Sequence, residues 1–128
     1  MTGYSGNIQE LAMANGNFRQ VLYTSKYMQL VLMSLLPGEE IGEEVHETVD
    51  QFFRIESGTV KVVMNGEETT ITAEMVAIVP AGTRHNVINV GQTQVKLYTI
   101  YAPPNHPDGT INATKADAEA YEAAKHQQ

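Results

Sequence analysis

Short β-prone runs, each closed by a turn signal, fill the chain from Gln20 to Tyr101 and limit what it can fold into. Gln20 to Thr24, Met28 to Leu36, Glu44 to His46 and Gln51 to Glu56 come first. Thr59 to Met64, Thr69 to Ala73, Val76 to Val79, Arg84 to Val90 and Gln94 to Tyr101 follow. The second run is largely apolar on both alternating faces, as expected of a strand covered on both sides. Asn65-Gly66 is a strong hairpin signal, because a type I′ turn needs positive φ at both central positions. Pro37-Gly38, Pro80-Ala81-Gly82 and Gly91-Gln92 mark further turns. Strands at this spacing predict an all-β sandwich or barrel. Outside them, Ile8 to Ala14 reads as a short helix, and the three prolines between Ala102 and Gly109 exclude a strand interior. Thr114 to about Lys125 reads as a helix, with Thr114 as N-cap and Asp117 three positions on. This helix has few large apolar residues, so it is expected on the surface or against a partner subunit.

Composition narrows the function classes. The 128 residues suit one domain, 42% hydrophobic and 18% charged, which is globular rather than disordered. Eight Lys and Arg against fifteen Asp and Glu give a net charge of -7, which argues against nucleic acid and against an anionic membrane surface. The absence of cysteine removes disulfides, thiolate nucleophiles and zinc-thiolate or iron–sulfur sites. The opening Met-Thr-Gly-Tyr-Ser-Gly lacks the basic and apolar regions of a signal peptide. Leu30 to Leu36, interrupted by Ser34, is too short to span a membrane. A soluble cytoplasmic domain is expected.

The chemistry gathers around few residues. Glu44 and His46 are two apart and share a face of a strand. Past the next turn, alternation separates Gln51, Phe53 and Ile55 from Asp50, Phe52, Arg54 and Glu56, and the first set suits the interior. His85 is in phase with Val87 and Asn89. If these strands face one interior, Glu44, His46, Gln51 and His85 converge. Two imidazoles, a carboxylate and an amide oxygen suit Mn, Fe, Co, Ni or Zn. The plainer readings are a solvated acidic run from Glu39 to Glu47 and a buried amide at Gln51 that bonds the barrel. On the last long strand Tyr98 and Tyr101 lie on opposite faces, so one points inward as a candidate substrate contact, and packing is the alternative for each. His106, expected in an exposed turn, is a third candidate contact. Asn89 reads as a structural hydrogen-bonding residue near the barrel rim. Arg54 and Arg84 are out of phase with the ligand set, and no cations are expected at the mouth, which weighs against a sugar phosphate. His126 is expected to be disordered.

At this point the chain resembles a single-domain cupin, the double-stranded β-helix barrel. The family's second motif, G-x5-P-x-G-x2-H-x3-N, is met by Pro80, Gly82, His85 and Asn89, with Glu74 in place of the leading Gly. Its first motif, G-x5-H-x-H-x3,4-E-x6-G, is met by Gly38, His46 and Gly58, with Glu44 in place of the first His and Gln51 in place of the Glu. The carboxylate has moved from the third ligand position to the first, and the charge of the set is kept. The resemblance implies a jelly-roll-like barrel over residues 28–101. Residues 1–27 would form an arm with an early strand, and residues 102–128 a Pro-rich turn and a short C-terminal helix. It also implies a homodimer, and some sugar-processing cupins are similar in using Gln as a ligand.

Three functions follow as expectations. The first is a metal-dependent enzyme of isomerase or lyase type, with the metal as Lewis acid toward a small hydroxy-carbonyl or sugar-like substrate, similar to small mannose-6-phosphate-isomerase-like cupins. The second is an Fe(II) or Ni(II) dioxygenase, against which an amide ligand counts. The third is a module that binds a small ligand and catalyses nothing.

Overall fold

The structure, a computed structural model, describes residues 2–126. The side chain of His126 lies outside the described residues. A short helix α1 (Ile8–Ala14) precedes β1 (Arg19–Thr24), β2 (Gln29–Leu35), β3 (Glu44–Val45), β4 (Asp50–Ser57) and β5 (Thr59–Met64). Then come β6 (Glu67–Thr72), β7 (Val76–Val79), β8 (Arg84–Asn89), β9 (Val95–Ala102), β10 (Ile111–Asn112) and α2 (Lys115–His126). The strands form a six-stranded sheet ordered β10-β1-β2-β9-β4-β7 and a four-stranded sheet ordered β3-β8-β5-β6. Every pairing is antiparallel. This is the double-stranded β-helix barrel that the turn pattern and motifs predict.

Alternation explains the core. Val31, Met33 and Leu35 of β2, Phe53 and Ile55 of β4, Val60 and Val62 of β5, Val87 of β8 and Leu97 of β9 are buried together between the sheets. β2 is buried on both faces because α1 lies across β2, β4 and β9. Leu32 and Ser34, out of phase with that core, are buried on the helix side. Lys96 pins the arrangement there by donating to the carbonyl of Asn15, just past α1, and to Ser34 Oγ. β1 is hydrogen-bonded into the sheet between β10 and β2. The sequence analysis did not find β10, a two-residue strand. Its one inward residue, Asn112, carries no hydrophobic alternation to read.

Turn chemistry follows the sequence. Asn65 and Gly66 have φ of 49° and 85°, and Met64 faces Glu67 across the two-residue turn. Gly58, between β4 and β5, has φ +97°, and a Cβ there would stand 2.9 Å from Val95 Cγ2 and 3.2 Å from the Gln94 carbonyl oxygen. Glu74, in place of the motif's glycine, still adopts φ 72°. Its N–H donates to the Ile55 carbonyl at 2.7 Å, and that bond holds a side-chain-bearing residue in the left-handed region. At α2 Thr114 Oγ1 accepts from the Asp117 N–H at 3.0 Å, the expected cap.

These two positions predict opposite responses. Gly58→Ala combines left-handed strain with a clash against Val95 Cγ2 and is expected to cost about 1–3 kcal/mol. Glu74→Gly relieves strain at an exposed site and is expected to stabilise by up to about 1 kcal/mol. Urea unfolding of the two variants beside the wild type measures both signs.

Candidate functional site

The four-stranded sheet supplies the histidines. β3 pairs with β8 so that Glu44 faces His85 directly, and His46 follows β3 after one residue. His85 is buried in phase with Val87, and its Nδ1 lies 2.9 Å from the Thr83 carbonyl oxygen. A carbonyl only accepts, so Nδ1 donates to it and Nε2 is the ring nitrogen left for a ligand. The imidazoles of His46 and His85 are 5.4 Å apart, centroid to centroid. Glu44 Oε2 stands 3.0 Å from His46 Nε2. That contact lies off the ring N–H direction, so Nε2 is buried without an aligned hydrogen bond. Burial pushes the Glu44 carboxyl upward. The bond to His46 and the charges of His46, Arg19 and His85 outweigh this and hold it below its ordinary value. Glu44 is therefore a carboxylate.

The six-stranded sheet supplies a row of polar groups. Tyr101 of β9 faces Gln51 of β4 on one side and Gln29 of β2 on the other. All three are buried on the inner face. Gln51 Nε2 donates to Thr99 Oγ1 at 3.0 Å, and its Oε1 is buried with no partner. Gln29 Nε2 donates to Thr24 Oγ1 at 3.0 Å and to the His106 carbonyl at 2.7 Å, and its Oε1 accepts from the Asn105 and His106 N–H groups. One buried amide thus fixes the loop after β9. That loop brings His106 Nε2 to 3.3 Å from the Tyr101 hydroxyl. Burial raises the Tyr101 phenol well above the tyrosine range, against the opposing charge of Arg19, so it stays protonated.

Above these groups opens a cavity of about 580 Å³, with Arg19, Glu44, His46 and His106 on its wall and α2 along one side through Lys115, Ala118, Glu119 and Glu122. Its size suits a small ligand. Glu44, His46, Gln51 and His85 thus come from both sheets to one end of the barrel. Among the described residues no three His, Cys, Asp or Glu side chains gather closely enough to hold a cation. The carboxylate is turned onto His46. The donor chemistry still fits a divalent cation: Gln51 Oε1 is buried without a hydrogen bond, His46 Nε2 meets the Glu44 carboxylate, and His85 Nε2 is free of the carbonyl that holds Nδ1. Asp50, kept outside by its phase, instead accepts from the Ala81 N–H at 2.8 Å.

Two sequence expectations are corrected. Tyr98 belongs to the outer face of β9, where its ring packs with Phe52 6.3 Å away, so Tyr101 is the inward tyrosine. The mouth is also not free of cations: Arg19 is buried at its wall. Arg19 stands in phase with Val21, and Gln29 in phase with Val31, Met33 and Leu35. A polar residue inside an apolar phase was the available signal for both. Asn89 is structural: its Nδ2 donates to the Leu35 and Thr93 carbonyls, and its Oδ1 accepts from the Gly91 N–H.

Comparison with known proteins matches the family model for the cupin domain to residues 31–101. The chain is 50% identical over 122 residues to the uncharacterized protein YrkC of Bacillus subtilis (strain 168), covering 91% of this chain and 66% of that protein. It is 30% identical over 104 residues to polyketide synthase CurC of Streptomyces cyaneus, covering 77% of this chain and 66% of CurC. The crystal structure of BH2720 from Bacillus halodurans superposes with a TM-score of 0.90 at 42% identity, covering 91% of this chain and 93% of that one.

Gln29→Leu preserves volume at the base of the site but strands the Asn105 and His106 N–H groups and the His106 carbonyl. It is expected to cost about 2–4 kcal/mol. Amide hydrogen exchange at Asn105 and His106 should quicken more than exchange in β5 and β8.

Proposed function

The chain belongs to the cupin family, and on that premise we propose that Glu44, His46, Gln51 and His85 hold a divalent cation (Mn, Fe, Co, Ni or Zn) beside a small hydroxy-carbonyl or sugar-like ligand. The observation that carries this reading is the buried Gln51 Oε1, an acceptor without a hydrogen-bond partner, together with the Glu44–His46 pair on the wall of a cavity of ligand size. Leaving such an acceptor dry and unbonded is costly, and a cation bound there removes the cost. When bound, it supplies Lewis-acid polarisation of carbonyl and hydroxyl oxygens, the chemistry of an isomerase or lyase. The chain's own groups do the rest. Thr83 fixes the His85 tautomer, Thr99 orients the Gln51 amide, and Gln29 sets the His106 loop. The protonated Tyr101 is a hydrogen-bond donor, and α2 excludes water along one wall.

That same phenol favours a second reading, ligand binding without turnover. A tyrosine this deeply buried and held protonated suits hydrogen bonding better than proton shuttling.

Elemental analysis of tag-free protein after incubation with Mn, Fe, Ni or Zn and removal of free ion tests the centre. The wild type is expected to retain about one equivalent, and His46→Ala and His85→Ala to bind at least about tenfold more weakly. Asp50→Asn is expected to load normally. A hundredfold excess over Kd should stabilise the wild type by about 2.7 kcal/mol. Absence of all four metals from the wild type rejects the centre and leaves the ligand-binding reading.

We also propose a homodimer. Across the outer face Ile78, Phe52, Ile100 and Leu30 stand in register as one apolar row, ending at edge strand β7 where Ile78 is 60% exposed. Sedimentation should give a dimer for the wild type and a monomer for Ile78→Asp.

A further inference from the structure

Arg19 opens β1 on its inward face and is only 5% exposed. Its register partners are Met33 of β2 and Asn112 of β10. Its Nε is buried with no hydrogen-bond partner. Nη1 reaches Asn112 Oδ1 at 3.5 Å, the outer limit of a hydrogen bond. Among the described residues no carboxylate lies within ion-pair distance of it; the Phe18 ring lies 5.4 Å from Cζ. A guanidinium cannot shed its proton, and a buried Nε–H left without an acceptor is unfavourable. Ordinary strand design would place this residue on the outer face. Here it is held inside, on the wall of the cavity it shares with Glu44, His46 and His106. Its charge reaches both Glu44 and Tyr101, so it acts on the chamber where the polar groups gather.

We propose that Arg19 anchors the carboxylate of this cavity's ligand, which makes the ligand a small monocarboxylate with a neighbouring hydroxyl or carbonyl oxygen, a 2-hydroxy or 2-oxo acid. The guanidinium fork matches a carboxylate with two parallel N–H···O bonds, and its unbonded Nε–H is one arm of that fork. The charge of the walls selects one negative charge over two. Glu43, Glu44, Glu119 and Glu122 line the cavity against Arg19 and Lys115, and this acid-rich lining repels a dianionic phosphate. The neighbouring oxygen rests on the cation site proposed above; the carboxylate anchor does not.

The test is calorimetric titration of lactate and pyruvate against their uncharged amides, with inorganic phosphate as the competing anion. It is run on chelator-treated and on zinc-incubated protein. The wild type is expected to bind the acids at least about tenfold more tightly than the amides and more tightly than phosphate. Arg19→Gln should abolish that preference. Because removing a buried Arg can unfold the chain, Asn112→Asp supplies an independent arm: its carboxylate sits where Nη1 already reaches, neutralises the guanidinium, raises Tm and abolishes the acid preference. His85→Ala should lose zinc yet keep the acid-over-amide preference in metal-free protein. Failure of the metal centre alone therefore appears as missing zinc with the Arg19 effect intact. The anchor is overturned if the wild type binds no acid, or if the acid preference survives Arg19→Gln or Asn112→Asp. Phosphate tighter than both acids overturns the monocarboxylate class.

Discussion

Every second residue of a strand must face the same way, and four strands here use that constraint to pass from apolar to polar toward one end of the barrel. β9 runs inward through Val95 and Leu97 to Thr99 and Tyr101, while β2 read backwards gives Leu35, Met33, Val31 and then Gln29. β4 reads Ile55, Phe53, Gln51, and β8 passes from Val87 to His85. Register sets Gln29, Tyr101 and Gln51 side by side, so the polar residues form one layer on an apolar plug. The plug supplies the burial, and the layer inherits its dryness. A group in that layer is bonded to a neighbour or it stands ready for a ligand.

This division sorts the layer into scaffold and site. Gln29 has four partners, and Asn89, at the other end of β8, has three. Both are structural, although their residue types would suit a binding site. Gln51 Oε1 and Arg19 Nε have none, and both sit at the same end as the cavity. The contrast is energetic: a satisfied buried amide holds backbone in place, whereas an unsatisfied one is a standing cost that binding removes.

How much of this was legible follows from what alternation encodes. The hairpin at Asn65-Gly66, the inward phase of Gln51 and His85 and the outward phase of Asp50 depend only on neighbours in the chain, and the structure agrees with each. The choice between Tyr98 and Tyr101 depends on which face of β9 meets the other sheet, and a strand with apolar residues in both phases does not say. Arg19 and Gln29 escaped for a different reason. Each stands alone in an apolar phase, and its significance comes from partners more than seventy residues away, Asn112 for one and the His106 loop for the other. Glu74 shows the converse: a motif position keeps its left-handed backbone after its glycine is gone, because the Ile55 carbonyl and not the side chain dictates the turn.

The two walls of the cavity differ in how they are held. The loop bearing His106 is tied by several hydrogen bonds to one buried amide, so displacing it means breaking them together. α2 seats the buried methyl of Ala118 against the barrel, with Thr114 capping its first turn. The chamber is thus braced through one buried amide on one side and bounded by a helix on the other, and whatever enters it meets a loop whose position the barrel interior dictates.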